Sequence, residues 1–189
     1  MKPLKFNNEM LQLVINGQKT QTRRLITGFD VFEPYESGFW RVSGPSLRAC
    51  YDEETSHKIP AGTYKQLVIV EKYIDRYCPY GASSDFINFH DAKGYPIGEI
   101  FLRHIRVERL QDISEQDAIS EGMRFTDYGK NRYNQQRNGW SWKITTHHDE
   151  CLSTARFAFG NLWESFYGEY SWDANPWVWV IDFRMGYQQ

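Results

Sequence analysis

Apolar residues recur at helical spacing near the start of the chain. Met10, Leu11, Val14 and Ile15 form a stripe, Asn7 is placed to cap it, and Glu9 falls in the first turn. Phe6 can staple onto Leu11, and Gly17 is placed to end the helix. The following run, Gln18-Lys19-Thr20-Gln21-Thr22-Arg23-Arg24-Leu25, carries two β-branched residues and no apolar face of helical period, which predicts an extended segment. From 28 to 62, Gly, Pro and acidic clusters surround two short strand-like pieces, 39–43 and 47–51, and predict an irregular excursion. A buried strand is expected at 67–70 and a turn at Cys78-Pro79-Tyr80-Gly81. The strongest internal strand spans 100–110, with Phe101, Ile105 and Val107 on one side together with Arg103 and Arg109.

A second helix is expected within 111–123. Ser114-Glu115-Gln116-Asp117 has the form of a capping box with Asp in place of Glu or Gln, and Gly122 ends the helix. Glu121 is thereby left at a helix C-terminus, where the macrodipole disfavours a carboxylate; it needs solvent or a basic partner. Residues 124–150 are polar and turn-rich, too long for an ordinary loop, and predict an insertion. Phe159, Leu162, Trp163 and Phe166 predict a helix over 154–167. Pro176 opens a strand over 177–183 that is apolar on both faces and belongs in a covered sheet or closed barrel. The order of elements predicts one α+β domain over 1–189, with a barrel-like sheet of mixed or antiparallel strands, flanking helices, and insertions around 28–62 and 124–150.

Composition narrows the functional classes. Aromatic residues make up 16% of the 189 residues, which argues against disorder and for a rigid aromatic core. The net charge of −2 excludes a strongly cationic nucleic-acid coat, but five basic and one acidic residue lie within the first 24 positions, enough for a local basic cleft. The longest apolar run, 177–181, falls far short of the ~20 residues of a membrane-spanning helix. Three scattered cysteines form no disulfide framework, and the first residues lack the apolar stretch of a secretory signal, so the expected location is cytoplasmic.

The segment Gly17–Arg24 holds the most suggestive chemistry. Three cations and two hydroxyls occupy six residues directly after a helix end. Like charges lower the pKa of a lysine towards the range where the neutral amine is a base or nucleophile, although a solvated basic turn has the same composition. The Gly-x-x-x-x-Gly-Lys pattern of a phosphate-binding loop is absent. Trp140 and Trp142, flanked by Arg137 and Lys143, can stack on bases beside phosphate-binding cations, or simply anchor the insertion to the core. His147-His148-x-x-Cys151 lacks any paired Cys-x-x-Cys, so neither a metal site nor a cofactor is expected.

Gly17, Lys19, Thr20, Thr22 and Arg24 directly after a short N-terminal helix resemble the signature of the ASCH (activating signal cointegrator homology) family. The resemblance extends to Arg106-Val107-Glu108-Arg109-Leu110-Gln111-Asp112-Ile113-Ser114-Glu115 and to Ala118-Ile119-Ser120-Glu121-Gly122. It returns at Trp172-Asp173-Ala174-Asn175-Pro176-Trp177-Val178-Trp179-Val180, as in the longer bacterial and prophage members, and covers roughly a third of the chain in matching order. It implies a PUA-like β-barrel with a cleft for RNA or a modified nucleoside. Some small members deacetylate N4-acetylcytidine with a Lys, a Thr and a Glu, which fall here on Lys19, Thr22 and Glu121; others are associated with ribonuclease action. Thr20, Arg23, Arg24, Trp140 and Trp142 are the expected substrate contacts. The Gly-Asp-x-Leu-Trp-Val-Arg-Glu strand of longer members is replaced by Ser84-Asp85-Phe86-Ile87-Asn88-Phe89-His90-Asp91. The alternatives are a binding module on the same barrel without turnover, and a prophage-type interaction protein that presents an exposed apolar patch away from the 19–24 turn.

Overall fold

The computed structural model describes residues 1–44, 50–51, 58–59, 67–143 and 147–186. In chain order the strands are β1 (Leu4–Phe6), β2 (Gln21–Leu25), β3 (Val31–Pro34), β4 (Phe39–Ser43), β5 (Cys50–Tyr51), β6 (Lys58–Ile59), β7 (Leu67–Val70), β8 (Phe86–Asp91), β9 (Pro96–Arg109), β10 (Arg124–Lys130), β11 (Gln136–Ser141) and β12 (Trp177–Met185). The α-helices are α1 (Asn8–Ile15), α2 (Glu115–Ser120) and α3 (Ala155–Tyr167). The class is mixed α+β, with a curled, half-barrel sheet at its centre.

That sheet runs β1-β8-β9-β12-β2, antiparallel except for the parallel pair β1–β8. β12 lies inside the sheet, between β9 and β2, because its residues are apolar on both faces: Val178, Trp179, Val180 and Ile181 are all fully buried. Its register sorts the neighbouring side chains. Ile181 pairs with Thr22 and Ile105, so these share a face, while Val180 pairs with Arg23 and Arg106 on the other.

The expectation that Phe101, Ile105 and Val107 share one side of β9 is corrected. Asp182 pairs with His104 but Phe183 pairs with Leu102, so β9 carries one extra residue at this point, a β-bulge. The buried phase switches across it, from Ile100 and Leu102 to Ile105, which keeps the apolar positions of a long strand on the inner face of a curling sheet.

The stretch 28–62 is less irregular than its composition suggests. β3, β4 and β7 form an antiparallel sheet, because Trp40, Val42 and Ile69 bury their side chains and Phe32 and Trp40 pack on Trp179 and Trp177. Residues 45–49, 52–57 and 60–62 of the expected excursion lie outside the described residues. The 124–150 insertion is an antiparallel ribbon, β10–β11, tied to the body by backbone bonds between Trp140 and Leu152. The short second helix begins as its sequence implies: Ser114 Oγ accepts from the Asp117 N–H at 3.0 Å and donates to Asp117 Oδ2. No helix among the described residues is long and apolar enough to cross a membrane.

Candidate functional site

Gly17 and Gly122 bring the two expected halves of the site together. After α1, Gly17 adopts φ +69° and the chain turns so that the Gln18 and Lys19 N–H groups both donate to Leu13 O. β2 then starts with the Thr20 N–H on Ser120 O, which ties the turn to the end of α2. There Gly122, at φ +104°, has no room for a side chain: a Cβ would stand 2.8 Å from Leu13 Cδ1 and 3.7 Å from Lys19 Cβ. Gly122→Ala is therefore expected to destabilise the protein by about 1–3 kcal/mol, the range for a strained left-handed residue. Urea unfolding checks this, and a change of only a few tenths would show that Leu13 simply moves aside.

Glu121 finds a basic partner rather than solvent. Lys19 Nζ donates to Glu121 Oε2 at 2.5 Å and to the Glu121 carbonyl oxygen at 2.6 Å. Both side chains are about 3% exposed. Burial lowers the pKa of Lys19, and the charges of Arg24 and Arg23 act in the same direction; Glu121 opposes them and does not prevail. The Lys19 ammonium thus gives up its proton more readily than a free lysine does.

A cleft of about 330 Å³ opens over this pair, lined by Lys19, Thr22, Arg23, Arg24 and Glu121 and, across from them, by aromatic side chains of α3. It falls at the small end of ligand pockets. Thr22 lies at its base with 0% exposure, and its Oγ1 accepts from Arg24 Nη1 at 2.5 Å. Arg24 also donates to the carbonyls of Arg23 and Lys5 and lies over the Phe6 ring, so its guanidinium covers the hydroxyl. Phe159 and Trp163 are buried; Phe166 and Tyr167 stand 57% and 43% exposed at the mouth, and Tyr167 stacks on Trp163 with centroids 4.1 Å apart. Three buried polar atoms of lining residues, Arg23 Nε, Glu121 Oε1 and Trp163 Nε1, have no hydrogen-bond partner among the described residues. Such atoms are rare unless something else satisfies them.

The other expected contacts fall elsewhere. Arg23 borders the cleft, but its guanidinium is fully buried against Glu108 Oε2 at 2.9 Å, with Asp117 and Glu121 at 3.5 Å. It is committed inside the protein and not placed to hold a phosphate. Thr20 serves the backbone, its carbonyl accepting from the Phe183 N–H. Trp140 packs on Phe125, and Trp142 Nε1 donates to Asn161 Oδ1 at 3.1 Å; neither lines the cleft. β8, the strand whose family residues are replaced, is separated from β2 by β9 and β12 and contributes no lining residue. Sequence reasoning missed the α3 wall and Lys5. Phe166 had the helical spacing of a core stripe, and the signal for another role was Tyr167 beside it, an amphipathic aromatic at a helix end. No group of three or more metal-ligating side chains occurs among the described residues. Phe86, Tyr95 and Ile97 leave apolar surface exposed on β8, β9 and the turn between them.

Fold and site together define a half-barrel α+β protein whose cleft joins a buried lysine–glutamate pair to an aromatic wall. The crystal structure of protein EF3133 from Enterococcus faecalis V583, of the family model DUF984, is similar to this chain with a TM-score of 0.44 and 11% identity. The match covers 98% of this chain and 77% of that one. No family model and no curated protein matches the sequence.

Proposed function

We propose that this chain is an ASCH-type, PUA-like domain that binds a modified nucleobase and hydrolyses an acyl-amide on it, with N4-acetylcytidine the first substrate to test. The observation that carries the proposal is the buried Lys19–Glu121 pair at the base of a cleft that also holds Thr22. The aromatic wall of Phe159, Trp163, Phe166 and Tyr167 offers a flat base a stacking surface, and the cleft volume suits one nucleoside better than a folded polymer.

In this mechanism the substrate carbonyl enters beside Thr22 and takes over the Arg24 Nη1 donor, which uncovers the hydroxyl. Neutral Lys19 accepts the Thr22 proton as Oγ1 attacks the carbonyl carbon, and Arg24 stabilises the oxyanion. The C–N bond then breaks, Lys19 returns the proton to the leaving amine, and water hydrolyses the acyl-threonine to release the acid and restore the hydroxyl. Glu121 orients the lysine throughout. The test is acetate release from N4-acetylcytidine by the purified protein, and absence of turnover overturns the amidohydrolase reading. One observation favours binding without turnover instead: Thr22 is fully covered, and its oxygen already accepts from Arg24.

Of the basic residues lining the cleft, Lys19 and Arg23 are paired internally, which leaves Lys5 and Arg24 to meet phosphate. Log affinity for single-stranded RNA should therefore fall with log salt at a slope no steeper than about −1.4, the release expected of two cations. A slope near about −3 would place RNA on a different surface.

A further inference from the structure

We infer that Arg23, which touches no substrate, is the positioning residue that allows Lys19 to act as a base: it faces the far oxygen of Glu121 and supplies that carboxylate with a counter-charge that remains when Lys19 gives up its proton. The inference rests on the hydrolase reading above for its use, but not for its measurement.

A lysine whose only partner is a buried carboxylate is a poor base, because losing its proton would strand the anion in a medium that solvates it badly. Here the carboxylate is shared. Oε2 takes Lys19 at 2.5 Å, while Oε1 faces Arg23 Nη1 at 3.5 Å and has no hydrogen bond of its own. That separation is just beyond hydrogen-bond length, close enough for charge and able to shorten when Lys19 becomes neutral. A guanidinium does not deprotonate in proteins, so its charge persists at every working pH.

Arg23 is also unable to leave. Its Nη1 donates to Gln21 Oε1, and its Nη2 meets Glu108 Oε2 at 2.9 Å. Gln21 is fixed in turn by donating to Asp117 Oδ1 at 2.8 Å and to Asp182 Oδ1 at 2.7 Å. Arg106 closes the frame on Glu108, Asp182 and Asp117. The register of β2, β12 and β9 explains why this is possible: Gln21, Arg23, Asp182, Arg106 and Glu108 share one face of the sheet, behind the cleft.

The charged and titratable groups around Lys19 are few. Glu121 follows α2, Arg23 and Arg24 come from β2, Lys5 from β1 and Tyr167 from α3. Only Arg23 both borders Glu121 and has its own supporting carboxylates, Glu108 and Asp117.

The experiment reads Lys19 directly, by NMR of Cε-labelled lysine against pH, alongside the pH profile of acetate release. In Arg23→Gln, the Lys19 midpoint and the rising limb of kcat/KM should both move to higher pH by at least about one unit, a tenfold loss of rate below the midpoint. Arg23→Lys, which keeps the charge, should stay near the parent. If Arg23→Gln does not fold, Arg23→Gln/Glu108→Gln removes the opposing carboxylate as well and carries the same expectation. An unmoved Lys19 midpoint overturns the inference, and so does an equal shift in Arg23→Lys, which would assign the effect to packing. A parent protein that titrates as expected but releases no acetate retains the role of Arg23 and removes only the hydrolase.

Discussion

Thr22→Ala should reduce acetate release from N4-acetylcytidine by at least about 1,000-fold, because it deletes the attacking oxygen and nothing else in the cleft can replace it. The fold should survive. Arg24 loses one acceptor but retains the carbonyls of Arg23 and Lys5, so the stability change is that of one hydrogen bond, about 1–2 kcal/mol. Thr22→Ser keeps the hydroxyl and should keep measurable turnover. Steady-state rates and urea midpoints on the same preparations separate the two effects. If the alanine variant turns over within about tenfold of the parent, Thr22 is not the nucleophile and a water molecule activated by Lys19 takes its place.

Glu121→Ala should produce the largest loss of stability. Removing the carboxylate leaves Lys19 Nζ with only the Glu121 carbonyl and takes one of three carboxylates away from the buried Arg23. Breaking a buried ion pair from one side costs about 3–5 kcal/mol, and for a chain of this size the melting temperature should fall by roughly 6–20 °C. Replacing both partners, as in Lys19→Met/Glu121→Leu, should recover most of that loss, since the cost comes from the stranded charge and not from a missing attraction. A double variant as unstable as Glu121→Ala would show that shape, rather than charge, governs this corner.

Much of the architecture was legible because local rules and tertiary packing agreed. Asn7 and Ser114 cap the first two α-helices as their sequence implies, each accepting a backbone N–H, and Val178–Ile181 of the doubly apolar run at 177–181 are fully buried in an interior strand. The phase of β9 was not legible, because a bulge is fixed by pairing with β8 and β12 and leaves no mark in hydrophobic spacing. Two strands of the second sheet, at 39–43 and 67–70, were legible, but β3 was not, because the Gly, Pro and acidic positions around it read as loop. At the cleft, Lys19 and Glu121 could be paired in advance only through a motif, since 102 positions separate them along the chain. The burial of Arg23 was not legible for a simpler reason. An arginine beside another arginine looks like surface, and only strand alternation shows that one turns towards carboxylates while its neighbour turns towards the opening.

The extra residue near Arg103 gives β9 two unlike neighbourhoods on a single ribbon, greasy on one stretch and ionic on the next. It follows that the count of residues there matters more than their identity. Excising one would invert every position on one flank, turning either Ile100 and Leu102 towards water or Arg106 and Glu108 into oil. Homologous chains should therefore vary freely in letter at this spot while keeping their spacing intact.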